Sequence, residues 1–355
     1  MKPVGKLTVN GKILRDMIRA RVQLHAIELR VFRRDVLPIL RDMEAEILSA
    51  LNAAADGRKP LGQMRAAQYQ ELRAEIAAII QNAAEKAPTA MTGALTDVAS
   101  REVRMMRGSI IRAVPELKAV LGSGLSSDQF AAITQTASND VLRGFEGWGS
   151  NRIEKAHDEL KKSVGLGEDM VQAARRIQTV MPATRKQALN IARTGIQRAA
   201  SIAADEFRSD PKHRSLSKGV QWLATLDNRT CVVCGARDGK WWSYEQEDGA
   251  EGLYSAKPDV PDHPGCRCIY VDVLKSSDEV GLPGIQWSAS TRVSMDGDVP
   301  EGTTFADWFA DRPVGQQKAI LGPAKFALWQ SGELSLDDFS VAGRARTVAE
   351  LGNIV

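Results

Sequence analysis

All four cysteines of this 355-residue chain fall between positions 231 and 268, as Cys231-x-x-Cys234 followed by His263-x-x-Cys266-x-Cys268. A C-x-x-C pair turns the backbone so that two thiolates face one cation, and a second pair of soft donors closes a tetrahedron around zinc. The return limb offers three donors where two are needed. Four of Cys231, Cys234, His263, Cys266 and Cys268 therefore make the site, and the fifth is spare or supports the others. Cys266 with Cys268 makes a tight chelate, whereas His263 with one cysteine makes a Cys3His set, and the spacing alone does not choose. Gly235, after the second cysteine, reads as the flexible residue that lets backbone amides turn toward the sulfurs.

Two disulfides would also use four cysteines. However, Met1-Lys2-Pro3-Val4-Gly5 lacks the apolar core of a secretory signal, and no window is apolar enough to span a bilayer. Reduced thiols are the expectation for a cytosolic chain. Thioredoxin-like chemistry needs a βαβ setting that the flanks of Cys231 do not provide. A catalytic zinc needs an open position and a nearby base, and the deaminase pattern H-x-E with P-C-x-x-C is absent. The reading is structural zinc.

Hydrophobic residues make up 43% of the chain, charged residues 26% and aromatic residues only 5%, the balance of a folded, helix-leaning chain of two or more domains. The net charge of +3 points to no particular polyanion. Residues 276–355 carry a net −5 and residues 1–275 a net +8, a division compatible with self-assembly or a mixed-charge partner as well as with solvated helix faces.

The fold class expected is mainly α: long amino-terminal helices and a helical bundle, then a small zinc-stapled α+β module and a short helical tail. Over residues 10–53, Leu29, Phe32, Val36, Leu40, Met43 and Ile47 form a helical stripe, with a kink near Leu37 imposed by Pro38. The opposite face mixes Arg15, Arg19, Arg30, Arg33, Arg34 and Arg41 with Asp16, Glu28, Asp35 and Asp42, which favours salt-bridged solvation. Further helices are expected at about 61–87, 91–114, 127–163 and 168–180, with Ser127 as a cap, Gly122 to Gly124 and Gly144 to Gly149 as joints, Pro182 as a stop, and Thr184 capping the next helix toward Phe207.

From Lys218 the pattern changes to short strands at 219–226, 240–242 and 268–274, with a polar loop at 243–262 that zinc would pin at its ends. A Gly/Pro/Ser-rich linker is read at 276–302. Short helices follow at 304–309, 312–321 and 323–331, with Gly322 and Gly332 as stops and Ser335 capping a last turn. The domain division expected is 1–122, 123–275 with the zinc module at about 219–275, linker 276–302, and tail 303–355.

Ile191-Ala192-Arg193-Thr194, Arg198-Ala199-Ala200, Trp222 through Cys231 with Cys234, Asp238-Gly239 and His263-Pro264-Gly265-Cys266-Arg267-Cys268 resemble the phage Mu F-type minor head protein family, also called the phage head morphogenesis domain. Leu321-Gly322-Pro323, Leu328 and Ser331 through Phe339 resemble an extension found in many members. Similar proteins commonly carry an acidic residue after Ala-Arg-Thr, where this chain has Gly195. That departure weakens an Arg193 ion pair and favours a bend there.

The resemblance implies a structural minor capsid protein of a tailed phage or prophage. Its implied partners are the portal protein and the capsid and scaffold proteins, with packaged DNA as a further contact, and neither a membrane nor a small-molecule substrate is implied. Its implied place is the virion head, and the host cytoplasm during assembly. No Gly-rich phosphate loop or nucleophile elbow appears, and His25, His157 and His213 stand alone among polar residues as surface side chains, so the expectation is a chain that is not an enzyme. One alternative is a nucleic-acid-binding zinc module using Arg229, Arg237, Lys240, Trp241, Trp242 and Arg267. Another is a zinc-dependent nuclease or hydrolase using Asp262 and His263.

Overall fold

Pro38 interrupts the first long helix as its chemistry requires. In the computed structural model, which describes residues 9–54, 59–122, 124–244, 256–282, 291–300, 302–341 and 343–354, α1 (Val9–Val31) passes into a π-helical turn (Phe32–Val36). Helix α2 (Leu37–Ala53) then restarts with Pro38 in its first turn. There the missing backbone N–H has no ladder partner to lose. Phe32, Val36, Leu40, Met43 and Ile47 of the expected stripe are buried.

Two other prolines do not end helices. Helix α3 (Ala66–Ala113) runs through Pro88, and α5 (Met170–Ser209) runs through Pro182. The separate helices expected on either side of each proline are therefore continuous. A proline inside a helix costs about 3 kcal/mol, and burial of several large side chains offsets that at about 1.5–3 kcal/mol each. Ile76, Ile80, Met91 and Leu95 are buried along α3, and Ile177 and Ile196 along α5. Thr184 is a helix-interior residue rather than a cap, its hydroxyl donating to the Val180 carbonyl at 3.0 Å.

Helix α4 (Ser127–Gly165) is capped by Ser126, one residue before the one expected. The Ser126 hydroxyl accepts from the Gln129 N–H at 3.2 Å, and the Gln129 side chain accepts from the Ser126 N–H at 2.9 Å. Gly144 and Gly149 are not joints but interior positions of α4. A Cβ at Gly144 would lie 2.8 Å from Ile191, and one at Gly149 would lie 2.9 Å from Ala84. Gly195 causes no break in α5 either; a Cβ there would lie 2.2 Å from Val141 of α4. These glycines let helix backbones approach closely, which sequence spacing does not reveal.

The chain divides into two compact units. One comprises residues 23–100 and 126–202, the other the described residues of 1–22, 101–125 and 203–355. The first is a helical bundle with a continuous core running from Leu24 through Leu51, Ile80, Phe145 and Leu160 to Ala200. Within it Glu28, 1% exposed, accepts from the Gln197 side chain at 2.9 Å, lies 2.9 Å from His25 and faces Arg193 at 3.8 Å. Arg193 thus has a carboxylate partner, supplied from 165 positions away rather than from position 195.

In the second unit, α6 (Pro211–Arg214) leads into a three-stranded antiparallel sheet of order β2-β1-β3, formed by β1 (Ser217–Leu223), β2 (Trp241–Ser243) and β3 (Ile269–Leu274). Register places Trp222 opposite Tyr270 and Val220 opposite Trp242. Helix α7 (Val232–Arg237) lies between β1 and β2. Within the stretch read as linker, β4 (Thr291–Ser294) and β5 (Gly297–Pro300) form a hairpin. The tail then builds α8 (Phe305–Ala310), α9 (Val314–Leu321), α10 (Pro323–Gln330), a 3-10 turn (Leu336–Phe339), the short pair β6 (Ser340–Val341) and β7 (Arg344–Ala345), and α11 (Val348–Gly352). The Ser335 cap and the turns at Gly322 and Gly332, both with positive φ, are where the sequence puts them, whereas Thr304, read as a helix residue, is the cap of α8. Phe305, Trp308, Phe309, Phe326, Leu336 and Phe339 form a core closed by Leu226 of the sheet module.

Candidate metal centre

Helix α7 opens on Cys231, whose sulfur faces the Cys234 N–H at 3.5 Å. One helical turn separates the two cysteines, so both thiols point the same way. Gly235 does not supply the flexibility expected of it. A Cβ there would lie 2.4 Å from the Phe305 ring, so its lack of a side chain admits the tail against α7.

The return limb meets this turn. His263 Nε2 lies 3.3 Å from the Cys231 sulfur and 3.2 Å from that of Cys234, and Cys266 Sγ lies 4.0 Å from Cys234 Sγ. Two overlapping groups can each hold a metal ion: Cys231, Cys234 and His263, and Cys234, Cys266 and Cys268. Cys234 belongs to both, so all five expected residues converge. The four cysteines form no disulfide, and Cys234, Cys266 and Cys268 are buried.

Crowded sulfurs share protons unevenly. Contacts with Cys231, Cys266 and Cys268 push Cys234 well above the usual thiol range. The same contact with Cys234 lowers Cys231 to about 4, helped by His263. Contact with Cys234 also draws Cys266 far down, and burial raises Cys268. His263 is raised to about 9, chiefly by Cys231. A buried cluster of thiolates needs a compensating cation, and a soft divalent metal supplies it by displacing the protons. His263 Nδ1 lies 3.1 Å from the Pro264 carbonyl, a contact that would keep a proton on Nδ1 and free the Nε2 lone pair once a metal displaces the Nε2 proton.

Ion pairs hold the two limbs together beside the cysteines. Arg267, between Cys266 and Cys268, forms a two-pronged pair with Asp227, with one contact at 2.7 Å. Arg237 meets Asp262 at 2.8 Å, and Arg21 donates to the Cys268 carbonyl at 3.2 Å. Beneath lies a core of Val220, Trp222, Trp242, Val260 and Tyr270, with both indoles packed edge-on to the Tyr270 ring.

These placements bear on the two alternatives. Trp242 is 6% exposed and belongs to the core, and Arg237, Arg267 and Lys240 are paired with Asp262, Asp227 and Asp337. Most of the side chains offered for base stacking and phosphate contact are thus committed within the fold. Asp262, the acid offered for zinc hydrolysis, is the partner of Arg237. The polar loop expected at 243–262 falls largely at 245–255, outside the described residues.

Sequence reasoning missed two buried clusters. Asp238 caps the end of α7 and pairs with Arg292 of β4, an arginine that carries no sequence signal in a Gly/Ser-rich stretch. Asp272 of β3 accepts from Arg208 at 3.1 Å and contacts His213 at 3.0 Å. His213, expected at the surface, is 1% exposed and packs against Phe207.

Residues 154–271 match the model of the family described as Phage Mu protein F like protein, so the sheet module with the metal cluster and the helices leading into it are phage Mu F-like. This match supports a head-morphogenesis protein. The chain is also 27% identical over 203 residues to NAD(+)-arginine ADP-ribosyltransferase EFV of Enterococcus faecalis, a stretch of 54% of this chain and 40% of that relative. The chain therefore spans about two fifths of the length of this curated relative. The relative bears an enzyme's name, and this overturns the expectation that the chain is not an enzyme. No solved structure matches. No helix among the described residues is long and apolar enough to cross a membrane.

Proposed function

We propose that this chain, which carries a phage Mu F-like segment over residues 154–271, is a minor capsid protein that joins the portal vertex of a tailed phage or prophage during procapsid assembly. The portal ring and the capsid and scaffold proteins are its partners, and the virion head is its destination. The observation that carries this reading is the convergence of five soft donors inside the matched segment. The metal is zinc, and it works as a staple: Cys231, Cys234, His263 and Cys266 bind it, and Cys268, grouped with Cys234 and Cys266, is the supporting fifth donor. In support, a tetrahedron with Zn–S bonds of about 2.3 Å and Zn–N bonds of about 2.0 Å has edges of about 3.5–3.8 Å, comparable to the 3.2, 3.3 and 4.0 Å contacts among these atoms.

Co-expression with the portal ring of the same genome, followed by sedimentation and metal quantification, tests the assembly role. Co-migration with about one zinc per chain is the expected result. A chain that never co-migrates with the ring would overturn it.

The relative's name supplies a second reading, ADP-ribosyl transfer to arginine. Incubation with labelled NAD(+) and an arginine-rich acceptor tests it directly, and an acceptor left unlabelled would remove it.

A further inference from the structure

We infer that the paired ends of α1 and α3 form a docking surface for the phosphate backbone of duplex DNA. The inference rests on the head-protein reading only in naming the site at which such a contact would be made. Its evidence is separate, because it is a matter of where charge collects.

Along the sequence, the arginines of residues 10–53 alternate with carboxylates. The fold divides this stretch between the two units, leaving Arg34 paired with Asp35 in the bundle. Glu28 and Asp35 fall in the helical bundle, whereas Lys12, Arg15, Arg19 and Arg21 fall in the other unit, where Asp16 is the one acid within residues 12–22. There Asp16 meets Arg112 of α3 at 2.7 Å, and Ile13, Met17, Met106 and Ile110 are buried along the two helices. Residues 12–22 and 101–118 together hold nine basic and three acidic side chains.

Of the three carboxylates here, Glu116 is exposed near the end of the stretch and the other two are already accounted for. Asp16 is used by Arg112, and burial pushes the Glu102 carboxyl up, against the pull of Arg21 and Arg208. Lys12, Arg15 and Arg19 recur at three- and four-residue spacing on one face of α1, and Arg104 lies two turns before Arg112 on α3. Lys12, Arg19 and Arg104 are exposed, and among the described residues no carboxylate pairs with Lys12, Arg15, Arg19 or Arg104. A row dominated by guanidinium groups suits phosphate oxygens, which accept two parallel N–H bonds. A second copy of this chain is a poorer occupant. Of the eleven acids in residues 276–355, Asp307 and Asp338 serve caps, and Glu279, Asp296, Asp337 and Glu350 pair with Lys218, Arg312, Lys240 and Arg344.

The test is fluorescence anisotropy of the full chain with a mixed-sequence duplex of about 30 base pairs at about 50 and about 200 mM salt. Neutralising about four phosphates gives a salt slope near −4, so affinity should fall by about two orders of magnitude across that range. Arg19→Glu with Arg104→Glu should weaken binding at least about tenfold and make the slope shallower by about 2. Lys155→Glu with Lys186→Glu, an equal charge change at exposed positions of α4 and α5, should bind as the unaltered chain does. Circular dichroism of each variant checks that the helices persist. Equal losses in both double variants, no binding at low salt, or displacement of DNA by polyglutamate of matched charge would each overturn the assignment. Portal co-migration is measured without DNA, so either reading can fail while the other stands.

Discussion

Asp238 and Arg292 form a buried ion pair, Oδ2 to Nη1 at 2.7 Å and Oδ1 to Nη2 at 2.8 Å, with both side chains at most 3% exposed. Asp238 also accepts from the Ala224 N–H at 2.7 Å and the Phe305 N–H at 2.6 Å, and Arg292 donates to the carbonyls of Ala224 and Thr303. One carboxylate thus ties the chain after β1, the end of α7, the hairpin and the start of the tail. Breaking a buried pair leaves an uncompensated charge, so Arg292→Ala is expected to cost about 3–5 kcal/mol. Urea unfolding followed by tryptophan fluorescence reads this, and a loss below about 1 kcal/mol would mean that water reaches Asp238.

Gly195 is a contact, not a hinge. Gly195→Ala drives a methyl into Val141 and should cost about 1–3 kcal/mol through overpacking. Val141→Ala in the same chain should recover part of that loss. Strictly additive losses in the double variant would contradict the contact, because neighbours that share space are coupled.

Metal removal should loosen more than the sheet module. The knuckle helix α7 packs on Phe305 of α8, so a strong chelator, or Cys234→Ser, is expected to open both residues 219–275 and the tail to protease while the helices of the bundle stay protected. Cys268→Ser should retain the metal under the proposed ligand set. Metal content by mass spectrometry under native conditions distinguishes the two variants, and loss of metal from Cys268→Ser would reassign the ligands.

Asp272 gives the fold an acid-side dependence. Burial alone would raise its pKa, but the Arg208 guanidinium and His213 hold the carboxyl well below the usual carboxylate range. With the folded pKa below the unfolded value of about 3.9, its contribution is full above that value and is lost as pH falls toward the folded one. Asp272→Asn should therefore be less stable near pH 7 and lose less on acidification below about pH 4. Thermal melts across that range check this; parallel curves for the two proteins would show that the pair carries no pH dependence.

Much of the fold is legible one element at a time. The Leu40–Met43–Ile47 stripe, the Ser335 cap and the Gly322 turn each depend on residues within one or two helical turns, so the sequence displays them. The candidate donors are legible for a related reason: a metal cluster needs two short limbs with fixed donor spacing, and Cys231 to Cys234 and His263 to Cys268 state that spacing, without choosing four of the five. What was illegible lies at long sequence distance. Pro88 and Pro182 are carried through because buried side chains on both flanks outweigh one lost hydrogen bond, and neither flank shows what it packs against.

By itself, the sequence determined that this chain is mainly helical, that a small strand module interrupts the helices, and that two short limbs offer five soft donors from which a metal site can be drawn. Tertiary structure decided that Arg193 meets Glu28, that Gly195 is needed for the approach of α4, that Arg292 neutralises Asp238, and that the cations of α1 join those of α3. The division is physical. Capping, periodicity and chelate spacing are short-range and repeat along the chain, whereas the choice of a charge's partner or a glycine's neighbour is made by packing between segments that meet only after folding.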